Sequence, residues 1–376
     1  MKRYRFIYTI CVLLVFINIS CSDFLDVEDT NPSYTNEGFY TNENAIREGA
    51  TGVYSNLYMQ VVGELAHTTI FDFYTGLALE RNENTTIGAG GGLNADNSDI
   101  LKFWSQLYTN VARANAFLTG VRPNMDDLSK KSLQYVSEVR VLRAYYYYLL
   151  IALWGDVPFY TEHVADVETQ QKIGRLGRMS AVETREYLIK ELSAIVPLMD
   201  QVRSSEVASN RTGAATGWML IAKMAMWNKK WDTAIDAISK LEEIYGDLGQ
   251  YPLEDVMFRN KNTPESIFEI QHSYVAGGLN YTSNLASICM PITRRSGTCE
   301  YDGVEIPELG DKSTCWTPWR PTAYFCQNLQ TKIGSDLRAK YNMAWEYNGH
   351  AFKSVSTAPW PGPKFWCPYL DSSRDG

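Results

Sequence analysis

Histidine is nearly missing from this chain. Four occur in 376 residues, at His67, His163, His272 and His350, scattered rather than clustered. No G-x-S-x-G turn is present either, so a Ser/His/Asp nucleophile has no local signature. The seven cysteines contain no C-x2-C pair, the close spacing a structural zinc site requires, so neither metal nor cofactor is expected. Cations are outnumbered, 35 Lys and Arg against 43 Asp and Glu. Nucleic-acid binding needs clustered cations to neutralise phosphates, and that class is excluded. The apolar run from Ile7 to Ile19 is shorter than the roughly 20 residues needed to cross about 30 Å of hydrocarbon.

That short run has a telling context. Lys2, Arg3 and Arg5 precede it, and Ser20-Cys21 ends it. A basic start, a short apolar segment and a small residue at the break read as a secretory signal. The cysteine at the cleavage point predicts a bacterial lipoprotein signal over residues 1–20, with Cys21 becoming the lipid-bearing, palmitate-carrying first residue. An ordinary secretory peptide with an incidental cysteine is the alternative. Loss of Lys2, Arg3 and Arg5 leaves 32 basic against 43 acidic residues, a balance of −11. The mature chain of about 355 residues is long enough to bury a large core.

Residues 21–40 read as an extended tether, with a turn signal at Asn31-Pro32. Helical spacing follows at Ala45, Ala50, Val53, Leu57 and Val61, and again from Asp99 to Leu118 through Trp104, Leu107, Val111 and Asn115. Between them, 82–97 is rich in Asn, Gly and Thr and reads as a long loop. Lys130 to Trp154 is apolar nearly all round, so it predicts a helix buried between neighbours and stopped by Gly155-Asp156-Val157-Pro158. Ser180 with Glu183 forms a capping-box pattern opening a helix to about Met199. Residues 211–245 predict a helical pair broken near Asn228-Lys229-Lys230. Trp218, Ile221-Ala222, Ala225, Ala234 and Ile238 keep tetratricopeptide spacing there. Ser266 to Gln271 alternates like a strand, and from Gly277 onward the chain reads as aromatic, cysteine-containing loops.

Several blocks resemble the SusD/RagB family of outer-membrane nutrient-binding lipoproteins. Cys21-Ser22-Asp23-Phe24-Leu25-Asp26 resembles the family's mature start. Glu138 to Tyr147, running into Leu153-Trp154-Gly155-Asp156-Val157-Pro158, resembles its most recognisable helix and turn. Lys229 to Ala237, Glu265 to Gln271, and Arg320-Pro321-Thr322 ahead of Asp336-Leu337-Arg338 keep the family's order. The resemblance implies a mainly α fold, with tetratricopeptide-like helical pairs forming a scaffold that carries long loop-rich insertions and a few short strands. The scaffold would occupy 41–275, and 276–376 would be a loop-rich part of the same domain. Members generally continue past the position of Gly376. The implied role is non-enzymatic: a lipid-anchored protein facing the cell exterior that captures an oligosaccharide, or in some members a peptide, for a SusC-like TonB-dependent transporter.

The candidate binding residues lie on loops. Sugars offer apolar C–H faces and rings of hydroxyls, which suit aromatic planes and planar polar groups. Arg81, Asn84, Asn94 and Asp96 supply the polar groups; Tyr281, Trp316, Trp319 and Tyr324 supply rings. Cys289–Cys299 or Cys315–Cys326 would close short loops, but with Cys367 the late cysteines number five, so one stays free and the pairing is not readable. Glu138, Arg140 and Arg143 read as a paired structural network, since a buried arginine survives only with a partner. Tyr145 to Tyr148 read as core, and Trp218, Trp227 and Trp231 as residues of the helix seam. Two other functions compete: a periplasmic helical-repeat scaffold for protein partners, and a glycosidase using acids such as Glu300, Asp302, Glu305 and Glu308.

Overall fold

A computed structural model describes residues 36–54, 57, 77–80, 96, 98–208, 211–253, 260, 262–270, 294–295, 298–301, 304–305, 319–343, 345–347 and 349–351. The first part of the chain is helical: α1 (Asn36–Phe39), α2 (Glu43–Tyr54), α3 (Ser98–Val121), α4 (Lys130–Trp154), α5 (Val167–Gly174), α6 (Ala181–Ile195), α7 (Ala214–Trp227) and α8 (Trp231–Tyr245). One strand, β1 (Ala78–Glu80), interrupts the series. Later come the meander β2 (Arg294–Arg295), β3 (Thr298–Tyr301) and β4 (Val304–Glu305), then β5 (Trp319–Pro321). The helices α9 (Ala323–Gln330) and α10 (Leu337–Asn342) and the hairpin β6 (Glu346–Tyr347) and β7 (His350–Ala351) follow. Among the described residues no helix is long and apolar enough to cross a membrane.

The fold is built round α4, and its ends fall where the sequence predicts. Ser129 caps it by accepting from the Ser132 amide at 3.1 Å. Gly155 ends it at φ +68°, a conformation that costs glycine no Cβ clash. Tyr146, Tyr147, Leu142 and Leu150 are fully buried, so the tyrosine run is core, as its apolar surroundings imply. Each buried hydroxyl still wants a partner. That of Tyr147 donates to the Tyr160 carbonyl at 2.8 Å and accepts from the Tyr160 amide at 3.0 Å. Tyr108 of α3 donates to the Pro158 carbonyl at 2.7 Å. These bonds tie the extended 157–160 segment across both helices.

The charges on α4 are also structural. Arg143 donates to Asn115 of α3 at 2.8 Å and to Glu191 of α6 at 2.6 Å. Glu138, 1% exposed, accepts from Arg211 at 2.6 Å and from the Tyr54 hydroxyl at 3.1 Å. The Arg211 guanidinium lies over the rings of Tyr54 and Tyr135, 4.6 and 5.1 Å from their centroids. Burial raises the Glu138 carboxyl above its ordinary value, and Arg211 partly offsets this. Arg140 is half-buried on the same helix, and desolvation lowers its guanidinium.

The expected helical pair forms as α7 and α8. Ala222, Ala225, Ala234 and Ala237 are buried with Ile221, so small residues let the two axes approach. Gly217 meets the 3-10 turn Val196–Leu198, where an added Cβ would come within 2.4 Å of Val196. Between the helices the amides of Lys229 and Lys230 bond back to Met226 and Ala225 at 3.0 and 2.9 Å, a Schellman closure. Its left-handed residue is Lys229, φ 57°, at a place where glycine would be favoured by about 1 kcal/mol.

Three expectations fail here. Residues 266–270 form no strand; their carbonyls are taken by side chains instead of a ladder. Tyr245 donates to Ser266 O at 2.8 Å, and Thr216 and Ser204 both donate to Ile267 O. Trp218 is a seam residue, half-buried with its indole N–H on Gln201 at 2.8 Å. Trp227 and Trp231 are not: they are 63% and 58% exposed, because they fall at the hairpin tip where no third helix covers them among the described residues. Ile238 likewise turns outward at 39% exposure.

Removing one partner of a buried pair strands the other charge. Arg211→Ala is expected to cost about 3–5 kcal/mol in urea unfolding at about pH 7. Without the cation the Glu138 carboxyl rises further above its unfolded value. The folded state then binds that proton more readily than the unfolded state, so part of the deficit relative to wild type should return as pH falls toward about 5. A deficit independent of pH would show that Glu138 is not the stranded group.

Candidate functional site

Two distant parts of the chain meet at one pair of strands. β1 runs antiparallel to β5 with Ala78 opposite Pro321, Leu79 opposite Arg320 and Glu80 opposite Trp319. The Thr322 amide extends the ladder by donating to Leu77 O at 2.8 Å. Arg81 follows directly on Glu80 in sequence, and Glu80 lies opposite Trp319 in the ladder. Each of these two short segments satisfies backbone groups of the other through the ladder.

The chain then turns into α9. Thr322 caps that helix, its hydroxyl accepting from the Phe325 amide at 3.2 Å. Tyr324, in the first turn, is 69% exposed, two residues after the ladder ends. The opposite side of α9 is anchored by Cys326, 1% exposed, with Sγ 3.7 Å from Met343 Sδ. The indole of Trp345 closes this small cluster by donating to Ala339 O at 2.8 Å. On the surface Arg338 forks onto Asp336 at 2.7 Å, and its hydrogen bonds hold that carboxyl down at about 2.

Cys326 corrects one expectation. It is a free, buried thiol, so the Cys315–Cys326 crosslink is not formed. Burial pushes the thiol up to about 12, which suppresses the thiolate that disulfide chemistry needs. Packing against Met343, rather than a covalent loop, fixes this position. Cys289 and Cys315 lie outside the described residues, and Cys299 is described only as part of β3.

Of the other expected binding residues, Asp96 lies on an exposed turn two residues before α3 begins, and Trp319 pairs through its backbone in β5. Cys21, Arg81, Asn84, Asn94, Tyr281 and Trp316 lie outside the described residues. Of the expected binding residues, the strand pair therefore holds Trp319 alone, with Tyr324 following in α9. Among the acids weighed for glycoside hydrolysis, Glu300 and Glu305 pair in register across the β3–β4 hairpin, and Asp302 and Glu308 are outside the described residues. No group of three or more His, Cys, Asp or Glu able to hold a metal occurs among the described residues. The β1–β5 pairing had no local sequence signal, since neither segment alternates long enough to read as a strand.

A family model described as SusD-like, starch-binding associating with outer membrane, matches residues 23–217. SusD-like protein P25 of Formosa agariphila is 24% identical over 361 residues, covering 92% of this chain and 63% of that protein. The chain thus spans less than two thirds of that relative's length. Among solved structures, a laminarin-binding SusD-like protein superposes with a TM-score of 0.64 at 18% identity, covering 87% of this chain and 73% of the other. Surface glycan-binding protein A from Bacteroides thetaiotaomicron, in complex with laminarihexaose, gives 0.55 at 18% identity, covering 80% and 63%. The mainly helical fold is that of these structures.

The cap at the strand–helix junction is open to a direct test. Thr322→Ala leaves the Phe325 amide without its acceptor and should cost about 1 kcal/mol in urea unfolding. Thr322→Ser should retain most of that stability; equal losses in the two variants would rule out the cap.

Proposed function

This chain belongs to the SusD-like family, and from that premise we propose that the whole protein is a glycan-capture lipoprotein of the outer membrane. It is held by lipid on Cys21, faces the cell exterior, and passes an oligosaccharide to a SusC-like TonB-dependent transporter. It performs no chemistry on the ligand. The ligand surface is formed by the loops that leave the β1–β5 pair: Arg81, Asn84, Asn94 and Asp96 on one side, Tyr281, Trp316, Trp319 and Tyr324 on the other.

The single observation that carries this reading is the register of Glu80 opposite Trp319. Capture of a sugar needs a flat apolar plane beside hydroxyl-binding polar groups. In this reading the ladder supports both: the polar residues follow β1 in sequence, and the aromatic residues precede and follow β5. An exposed tyrosine beside the ladder, Tyr324, is the described ring best placed to meet a ligand.

Calorimetry against laminari- and malto-oligosaccharides and a matched panel of peptides tests the proposal. Binding of a glycan is expected, with Tyr324→Ala weakening it by about tenfold, or roughly 1.4 kcal/mol, while urea stability is unchanged. Peptide binding with no glycan binding would move the protein to a peptide-capture role. Binding of neither class, together with a stable complex with a periplasmic protein, would favour the scaffold reading, and new reducing ends from a bound glycan would make it a glycosidase.

A further inference from the structure

The exposed tryptophans at the α7–α8 tip are not among the residues described at the β1–β5 pair. They border an open groove of about 430 Å³ lined by Tyr148, Lys223, Met226, Trp227, Lys229 and Trp231. Groove volumes of this order suit one to a few sugar rings. The arrangement is a built one. Lys223 and Trp227 stand one helical turn apart, on one face of α7. The Arg185 guanidinium sits 5.7 Å from the centre of the Trp227 ring, and Tyr148 lines the groove beside it. Arg185 is itself held by Asn228 at 2.6 Å, and Asn228 by Val182 O at 3.0 Å. A large aromatic plane, 63% exposed, is thus immobilised before any ligand arrives.

The charge pattern is the second observation. The lining holds two lysines and no acid. Neither lysine side chain forms an ion pair among the described residues, while the nearby Glu186 is taken by Lys230 at 2.8 Å. On a chain of net charge −8, a pair of unpaired cations flanking aromatic rings stands out. Lys229 also occupies the left-handed position of the Schellman turn, which glycine would fill without strain. Its side chain is kept at the groove against a local conformational preference.

We propose that this tip is a second carbohydrate site, distinct from the β1–β5 surface and selective for a saccharide bearing a carboxylate or sulfate ester. Trp227 and Trp231 offer faces to the apolar C–H side of a pyranose, and Lys223 and Lys229 neutralise its anion. The site does not depend on the ligand surface proposed above.

The test is calorimetry of the full chain with trigalacturonate, sulfated maltotriose and neutral maltotriose. At least one anionic trisaccharide should bind, more tightly at low salt, with maltotriose about tenfold weaker at this site. Trp231→Ala, a substitution at an exposed position, should abolish that binding. Lys229→Gly should weaken it about fivefold while leaving the melting temperature unchanged or raised, an outcome a merely structural lysine would not produce. Tyr324→Ala should leave this affinity intact, which separates failure here from failure of the first site. The proposal falls if neither anionic ligand binds or if Trp231→Ala binds them as well as wild type. It also falls if neutral maltotriose competes equally, or if Trp231 instead supports a concentration-dependent dimer.

Discussion

Everything in the helical scaffold is arranged around two charged residues on one buried helix. α4 is apolar on most of its circumference, so hydrophobic burial alone would leave its rotation and register weakly specified. Glu138 and Arg143 remove that freedom. Each must meet an opposite charge, because an unpaired ion in a low-dielectric interior is far more costly than a misplaced methyl group. Glu138 is matched from one side by Tyr54 and Arg211; Arg143 is matched from the other by Asn115 and Glu191. Four segments are therefore aligned on α4 by electrostatics before fine packing is considered. The pairs act chiefly as a specification of which neighbour sits where, with hydrophobic contact supplying most of the stability.

The scaffold ends in tips and loops, and these are where the chain can meet other molecules. At one such place the short β1–β5 ladder gathers segments far apart in sequence. At another, the α7–α8 turn projects two tryptophans and two lysines. Both depend on rigid support close behind: α9 pinned by Cys326 and Met343 in the first case, Arg185 and Asn228 in the second. Aromatic residues in this chain consequently divide by position. Those on α4 are packed into the core, where the Tyr147 hydroxyl is satisfied through Tyr160, whereas Tyr324, Trp227 and Trp231 present most of their surface to solvent.

Much of the fold was legible in the sequence because helices are local. Periodicity, the Ser180 cap and the Gly155 stop depend only on residues within a few positions, and they placed α3, α4, α6, α7 and α8 closely. The structural role of Glu138 and Arg143 could also be reasoned from the cost of burying a charge, though not the identity of Arg211 or Glu191 as partners. Alternation at Ser266–Ile270 misled because a period of two marks an extended segment without saying what takes its hydrogen bonds. The tryptophan pattern misled similarly. Tetratricopeptide spacing describes which faces of two helices meet, and says nothing of where a third helix is missing.

By itself the sequence determined the helices, their caps, the apolar seam of the α7–α8 pair, and membership of a family whose blocks lie in order along the chain. These are encoded by short-range sterics, local hydrogen bonds and hydrophobic period. Only the tertiary structure decided that β1 and β5 share a ladder, that Cys326 is a packed thiol rather than half of a crosslink, and that Trp227 and Trp231 are exposed. Those outcomes turn on contacts between residues distant in sequence, where burial and pairing are properties of the assembled chain and no local pattern carries them.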